Sequence, residues 1–163
     1  MEYGEILGEE NGGQVRAGIH KISKIPVAIK CINVFHKEKR AQFYNELDMI
    51  SEQYPVLVQY FGVFYDQGML HLVMEHMDCG SLETMIAVER QCATEDELKV
   101  RPLIPELSIS RFVFFILQGL VYLHDQKKQI HRDLKPDNIL VESTIGMAKM
   151  SDFGISKRLA AAD

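Results

Sequence analysis

The run His131-Arg132-Asp133-Leu134-Lys135-Pro136-Asp137-Asn138, followed after the apolar stretch Ile139 to Val141 by Asp152-Phe153-Gly154, decides how this chain is read. Two short polar segments, rich in carboxylate and amide oxygens, flank a strand. A chance acidic loop would not carry so specific a pattern in two linked segments. Upstream, Phe112, Val113, Ile116, Leu117, Leu120, Val121 and Leu123 follow Ser110 at spacings that cover more than one helix face, which predicts a helix buried on most sides. Residues 89–107 show no sustained period and read as a surface loop. Before them, Asp78-Cys79-Gly80-Ser81 reads as a turn with an N-cap, leading into a short helix from Leu82 to Val88.

The first half has a different texture. Tyr3 to Leu7, Val15 to Ile19 and Ile25 to Val34 read as strands of an antiparallel meander with glycine punctuation. Phe43, Leu47, Ile50 and Tyr54 recur at helical steps between Lys37 and Tyr54, and Pro55 ends that helix. Val56 to Phe64 and Met69 to Met74 read as two further strands joined through Asp66-Gln67-Gly68. The expected class is α+β, with five antiparallel strands and one helix in residues 1–77, then the start of a helical region in residues 78–163. In Val27-Ala28-Ile29-Lys30 the strand period places Ala28 and Lys30 on one face and Val27 and Ile29 on the other. Glu46, on the helix beside Leu47, is placed to reach a lysine on that sheet.

Composition narrows the function classes. The chain has 163 residues, 47% apolar and 25% charged, ordinary globular usage. A net charge of -5, from 18 basic and 23 acidic side chains, gives no footprint for nucleic acid. Cys31, Cys79 and Cys92 are odd in number without C-x-x-C spacing, so neither a disulfide framework nor a zinc site is expected, and a reducing, cytoplasmic setting is. The first residues lack a signal-peptide pattern, and the longest purely apolar run, Phe112 to Leu117, falls short of the ~20 residues of a bilayer span. Membrane insertion is not expected.

The two opening segments are signatures of protein kinases, and the chain resembles that family over nearly its whole length. Leu7 to Val15, Met74-Glu75-His76-Met77-Asp78-Cys79-Gly80-Ser81-Leu82 and Ser151 to Ile155 are most similar to the sterile-group MAP kinase kinases, dual-specificity enzymes that phosphorylate a MAP kinase on Thr and Tyr. The resemblance implies a kinase N-lobe and the beginning of a helical C-lobe, with ATP and Mg2+ as cofactors. It also implies a protein substrate of the MAP kinase class and an upstream activating kinase. Asp133 is then the catalytic base, Lys135 adds positive charge near the transferred group, and Asn138 and Asp152 are magnesium ligands. Lys30 grips the α and β phosphates and Glu46 holds it in place. Leu7, Gly8, Gly13 and Val15 belong to the phosphate-covering loop. Val15, Ala28 and Leu140 sandwich the adenine, Met74 is the gatekeeper, Glu75 and Met77 offer backbone groups, and Ser81 lies near the ribose or the first phosphates. Ile50, Tyr60, His131 and Phe153 form a stacked apolar column by the same resemblance, or plain core packing. Ser151 removes the thiol sometimes found before the Asp-Phe-Gly motif.

Two further readings stay open beside an active kinase: a pseudokinase, and a truncated nucleotide-binding or regulatory module. With only nine residues after Gly154, these 163 residues alone are expected to be inactive. Glu10 departs from the glycine pattern. A carboxylate about 4 Å from a phosphate charge repels it by about 4 kcal/mol at an effective dielectric of 20, before screening. Glu10→Gly is therefore expected to tighten ATP binding; an affinity unchanged by the substitution, measured by titration, contradicts the reading.

Overall fold

The computed structural model describes residues 1–10, 13–33, 35, 37–47, 49–50 and 53–158, with backbone only at 10, 37–41, 98 and 99. The chain divides into two compact units: Met1–Tyr54, Val58–Met77 and Asp152–Ile155 form the first, and Pro55–Leu57, Asp78–Ser151 and Ser156 onward the second.

In the first unit, β1 (Glu2–Glu10), β2 (Gly13–Ile19), β3 (Pro26–Asn33), β4 (Tyr60–Asp66) and β5 (Met69–Glu75) make one antiparallel sheet in the order β1-β2-β3-β5-β4. The β4–β5 hairpin turns on Gln67 at φ 48° and Gly68 at φ 81°, the pair of positive angles that a tight hairpin favours. Register decides which side chains share a face. Val15, Lys30 and Leu72 are paired across three strands, and Ala17, Ala28 and Met74 form the next row, so Ala28 and Lys30 do share a face. The other face buries Val27, Ile29, Cys31 and Val73 beneath Met1, Phe64 and Met69.

Helix α1 (Lys37–Leu47) is shorter than its apolar period predicts. Met49 N–H donates to Glu46 O at 3.0 Å and Ile50 N–H to Leu47 O at 3.0 Å, a tightened exit that stops the helix well before Pro55. Among the described side chains of α1, Phe43 and Glu46 are buried, as is Met49 just after it, so the inward face runs through a glutamate, which apolar periodicity alone does not count. The strand expected from Val56 begins only at Tyr60. Residues 56–57 instead belong to the second unit, where Leu57 bridges Met150 in parallel.

The second unit holds α2 (Leu82–Cys92), α3 (Glu95–Val100) and α4 (Glu106–Val121), the last continued by a wide turn over Tyr122–Gln126. Strands β6 (Gln129–Ile130) and β9 (Lys157–Arg158) pair with each other, as do β7 (Ile139–Glu142) and β8 (Met147–Met150). The loop expected over 89–107 is largely helical. Thr94 caps α3 and Glu97 returns the bond in a capping box, a T-x-x-E signal that the absence of an apolar period conceals.

Helix α4 starts at Glu106 rather than after Ser110, whose hydroxyl donates to Leu107 O at 2.8 Å. It is not buried on most sides. Phe112 joins Ile104, Ile139, Val141 and Ala148 in the core, whereas Leu107, Ile109, Val113, Phe114, Leu117 and Val121 are exposed. With its terminal turn it runs 21 residues, Glu106–Gln126, at a mean hydropathy of 1.5, long and apolar enough by composition to cross a bilayer. The unbroken apolar run understates it, because isolated polar residues do not interrupt a helix.

Gly119 seats α4 on β8: a Cβ there would lie 2.5 Å from Met150 Cε and 3.2 Å from Val56 Cγ2. Gly119→Leu is expected to cost about 1–3 kcal/mol by overpacking and to lower the thermal midpoint by several degrees. A midpoint equal to wild type contradicts this packing.

Candidate active site

Two clusters of chemistry-bearing residues form, one on each unit. In the first, β3 presents Lys30 on the face opposite the apolar cluster, α1 brings Glu46, and the segment 152–155 brings Asp152. Lys30 Nζ donates to Glu46 Oε1 at 2.7 Å and to Asp152 Oδ1 at 3.0 Å. Glu46 is 1% exposed. Burial by itself lowers the Lys30 pKa, but the charges of Glu46 and Asp152 and hydrogen bonds to both outweigh it and hold the ammonium above the ordinary lysine range. Burial likewise raises the Glu46 carboxyl, against the pull of Lys30. These directions compete for one proton. The short bonds decide for the ion pair, since an ammonium between two carboxylates has no neutral arrangement that satisfies both.

Val15 and Ala28 lie in adjacent rows of the Lys30 face, with Met74 beside Ala28. The sheet thus brings together Val15, Ala28, Lys30 and Met74, and pairs Gly8 with Val15. Leu7 is exposed, Gly13 opens β2, and the Glu10 side chain lies outside the described residues. Glu75 ends β5. Its N–H donates to Gln59 O at 2.9 Å, and its carboxylate accepts from Gln59 N–H at 2.6 Å. Met77 is buried. Tyr60 and Phe153 are buried in this unit and Ile50 half-buried.

In the second unit the loop 131–138 folds on itself. Asn138 Nδ2 donates to Asp133 O at 2.8 Å and to Asp133 Oδ2 at 3.0 Å, and Lys135 Nζ lies 3.2 Å from the same carboxylate oxygen. Asp133 N–H donates to His131 Nδ1 at 3.3 Å, which leaves the ring proton on Nε2 to be donated to Ser151 O at 2.9 Å. Arg132 takes φ 70°, a left-handed backbone that directs its side chain outward while His131 stays buried. Ser81 caps α2, accepting from Thr84 N–H at 3.1 Å, and bridges Leu140 of β7.

The residues present fit a divalent cation. Asn138 is 1% exposed, its amide nitrogen is committed to two oxygens of Asp133, and Oδ1 is left without a partner among the described residues. A buried, pre-aimed hard oxygen of this kind is costly unless something binds it. In the first unit, by itself, Lys30 is shared by the carboxylates of Glu46 and Asp152, so that cluster carries a net negative charge.

Sequence reasoning missed two contributors. Ser151 is more than an absent thiol: its N–H and hydroxyl both donate to Asn138 O, at 2.9 and 3.2 Å, anchoring the amide residue. Asn45 donates to Gly154 O at 2.7 Å. Neither carries a motif, because their partners lie far away in sequence.

Both clusters sit on the frame of one family. The protein kinase domain matches residues 1–163, and the chain belongs to that family. It is similar to a "Dual specificity mitogen-activated protein kinase kinase 1" from Dictyostelium discoideum, with 37% identity over 156 residues, 94% of this chain and 22% of the relative. The chain thus spans about a fifth of that relative's length.

Lys30→Met removes the partner of a buried carboxylate, at an expected cost of about 3–5 kcal/mol. Glu46 then holds a proton in the folded state that the unfolded chain, near the ordinary value of 4.5, has released. The variant's stability therefore falls as pH rises above that value, more steeply than in wild type. Adding Glu46→Leu is expected to flatten the slope. Midpoints across pH check both, and parallel profiles for all three proteins refute the pairing.

Proposed function

We propose that this chain carries the nucleotide-gripping and phosphoryl-transfer residues of an ATP-dependent protein kinase that acts on a MAP kinase, downstream of an activating kinase, in the cytoplasm. The observation that supports the chemistry best is the Lys30 ammonium held by Glu46 and Asp152. Lys30 grips the phosphates of ATP, and Val15, Ala28 and Leu140 take the adenine. Asn138 and Asp152 hold Mg2+, which when bound offsets phosphate charge.

The γ-phosphoryl group passes to a Ser, Thr or Tyr hydroxyl. The hydroxyl oxygen bonds to phosphorus as the bond to the bridging oxygen of ADP breaks, and the hydroxyl proton goes to Asp133. Asn138 and Lys135 orient that carboxylate by the contacts already described. The dual-specificity substrate class rests on the similarity to the Dictyostelium kinase. That Lys30, Glu46, Asp133, Lys135, Asn138 and Asp152 are all of the required type favours turnover over a pseudokinase. The exposed apolar side of α4 supports the expectation that these 163 residues transfer little phosphate by themselves.

The test is transfer of label from γ-labelled ATP to a MAP kinase by the protein as its own cells produce it. Asp133→Asn is expected to reduce it by about 10²–10⁴-fold with ATP binding retained. Transfer that survives the substitution refutes Asp133 as base; a wild type that binds ATP without transfer supports the pseudokinase.

A further inference from the structure

Within the first unit, α1 reaches the Lys30 cluster through two adjacent side chains. Glu46 takes the ammonium, and Asn45, half-buried, donates Nδ2–H to Gly154 O at 2.7 Å. Gly154 is buried, and its own N–H donates to Asp152 Oδ1 at 3.3 Å. Asp152 holds φ 57°, a left-handed backbone that a residue with a side chain keeps only when its surroundings impose it. Two residues on, glycine has the widest backbone freedom of any residue, so its carbonyl needs a partner if the turn is to stay put. A Cβ on Gly154 would lie 3.2 Å from Asp152 Oδ1 and Glu46 Oε1, which shows how closely this backbone is drawn into the cluster.

We infer that Asn45 is a positioning residue: it ties α1 to the turn carrying Asp152, so that the helix orientation that delivers Glu46 to Lys30 also sets the conformation of the metal-binding aspartate. A shift of α1 breaks both ties together. The requirement is for a donor at position 45, since an acceptor there would face the Gly154 carbonyl. The inference deepens the proposed function, on which the role of Asp152 toward Mg2+ rests.

The test compares Asn45→Ala, Asn45→Asp and Asn45→Gln in the chain as it stands, by amide hydrogen exchange and by ATP titration at graded Mg2+. Loss of one such bond is expected to speed exchange at 153–155 about threefold to tenfold in the Ala and Asp variants, with β3 and β5 unchanged and Gln partly restoring protection. Half-saturation with Mg2+ is expected to need proportionately more metal, with metal-free ATP binding unaltered. Unchanged exchange at 153–155, or acceleration spread equally through β3 and β5, overturns the inference. A wild type that binds no ATP overturns the functional reading instead, while the exchange data still judge Asn45.

Discussion

An ammonium held inside a protein between two carboxylates constrains everything that carries those three groups. Lys30, Glu46 and Asp152 come from a strand, a helix and a segment more than a hundred residues downstream, and each is costly to bury alone. The sheet must therefore direct Lys30 away from its apolar face, which the register of β2, β3 and β5 does. Helix α1 must turn a glutamate inward between Phe43 and Met49. The chain must return after β8 and adopt a left-handed angle at Asp152. The ion cluster is where the strand, the helix and the downstream segment meet.

The second unit solves a different problem, the aiming of one carboxylate and one amide. Asn138 commits its nitrogen to Asp133, so its oxygen is presented bare, and Ser151 fixes the Asn138 backbone from β8's end. His131 closes the arrangement by accepting from Asp133 N–H and donating to Ser151 O. Preorganisation of this kind means that charge developing in a reaction meets groups already in place.

Much of this is legible in the residues. The motif positions Asp133, Asn138 and Asp152 carry their chemistry in their type and spacing, and the strand period alone puts Ala28 and Lys30 on one face, where the sheet register has them. What is not legible follows from physics that sequence does not display. Helix α1 ends at Leu47 because its exit tightens locally, although apolar residues continue at helical steps to Tyr54. Residues 56–57 leave their expected strand because Met150, far downstream, offers Leu57 a bridge. Asn45 and Ser151 act through backbone carbonyls, which leave no pattern in side-chain identity. The capping box at Thr94 and Glu97 is legible, but the lack of apolar period around it outweighs a single T-x-x-E signal.

If Lys30 grips phosphate and Asn138 and Asp152 hold Mg2+ as proposed, both roles should show in how the chain takes up nucleotide. Calorimetric titration of ATP onto the wild-type chain, with and without Mg2+, tests that directly. One saturable site whose affinity rises when Mg2+ is present is the predicted result. Absence of binding, or binding indifferent to the metal, contradicts it.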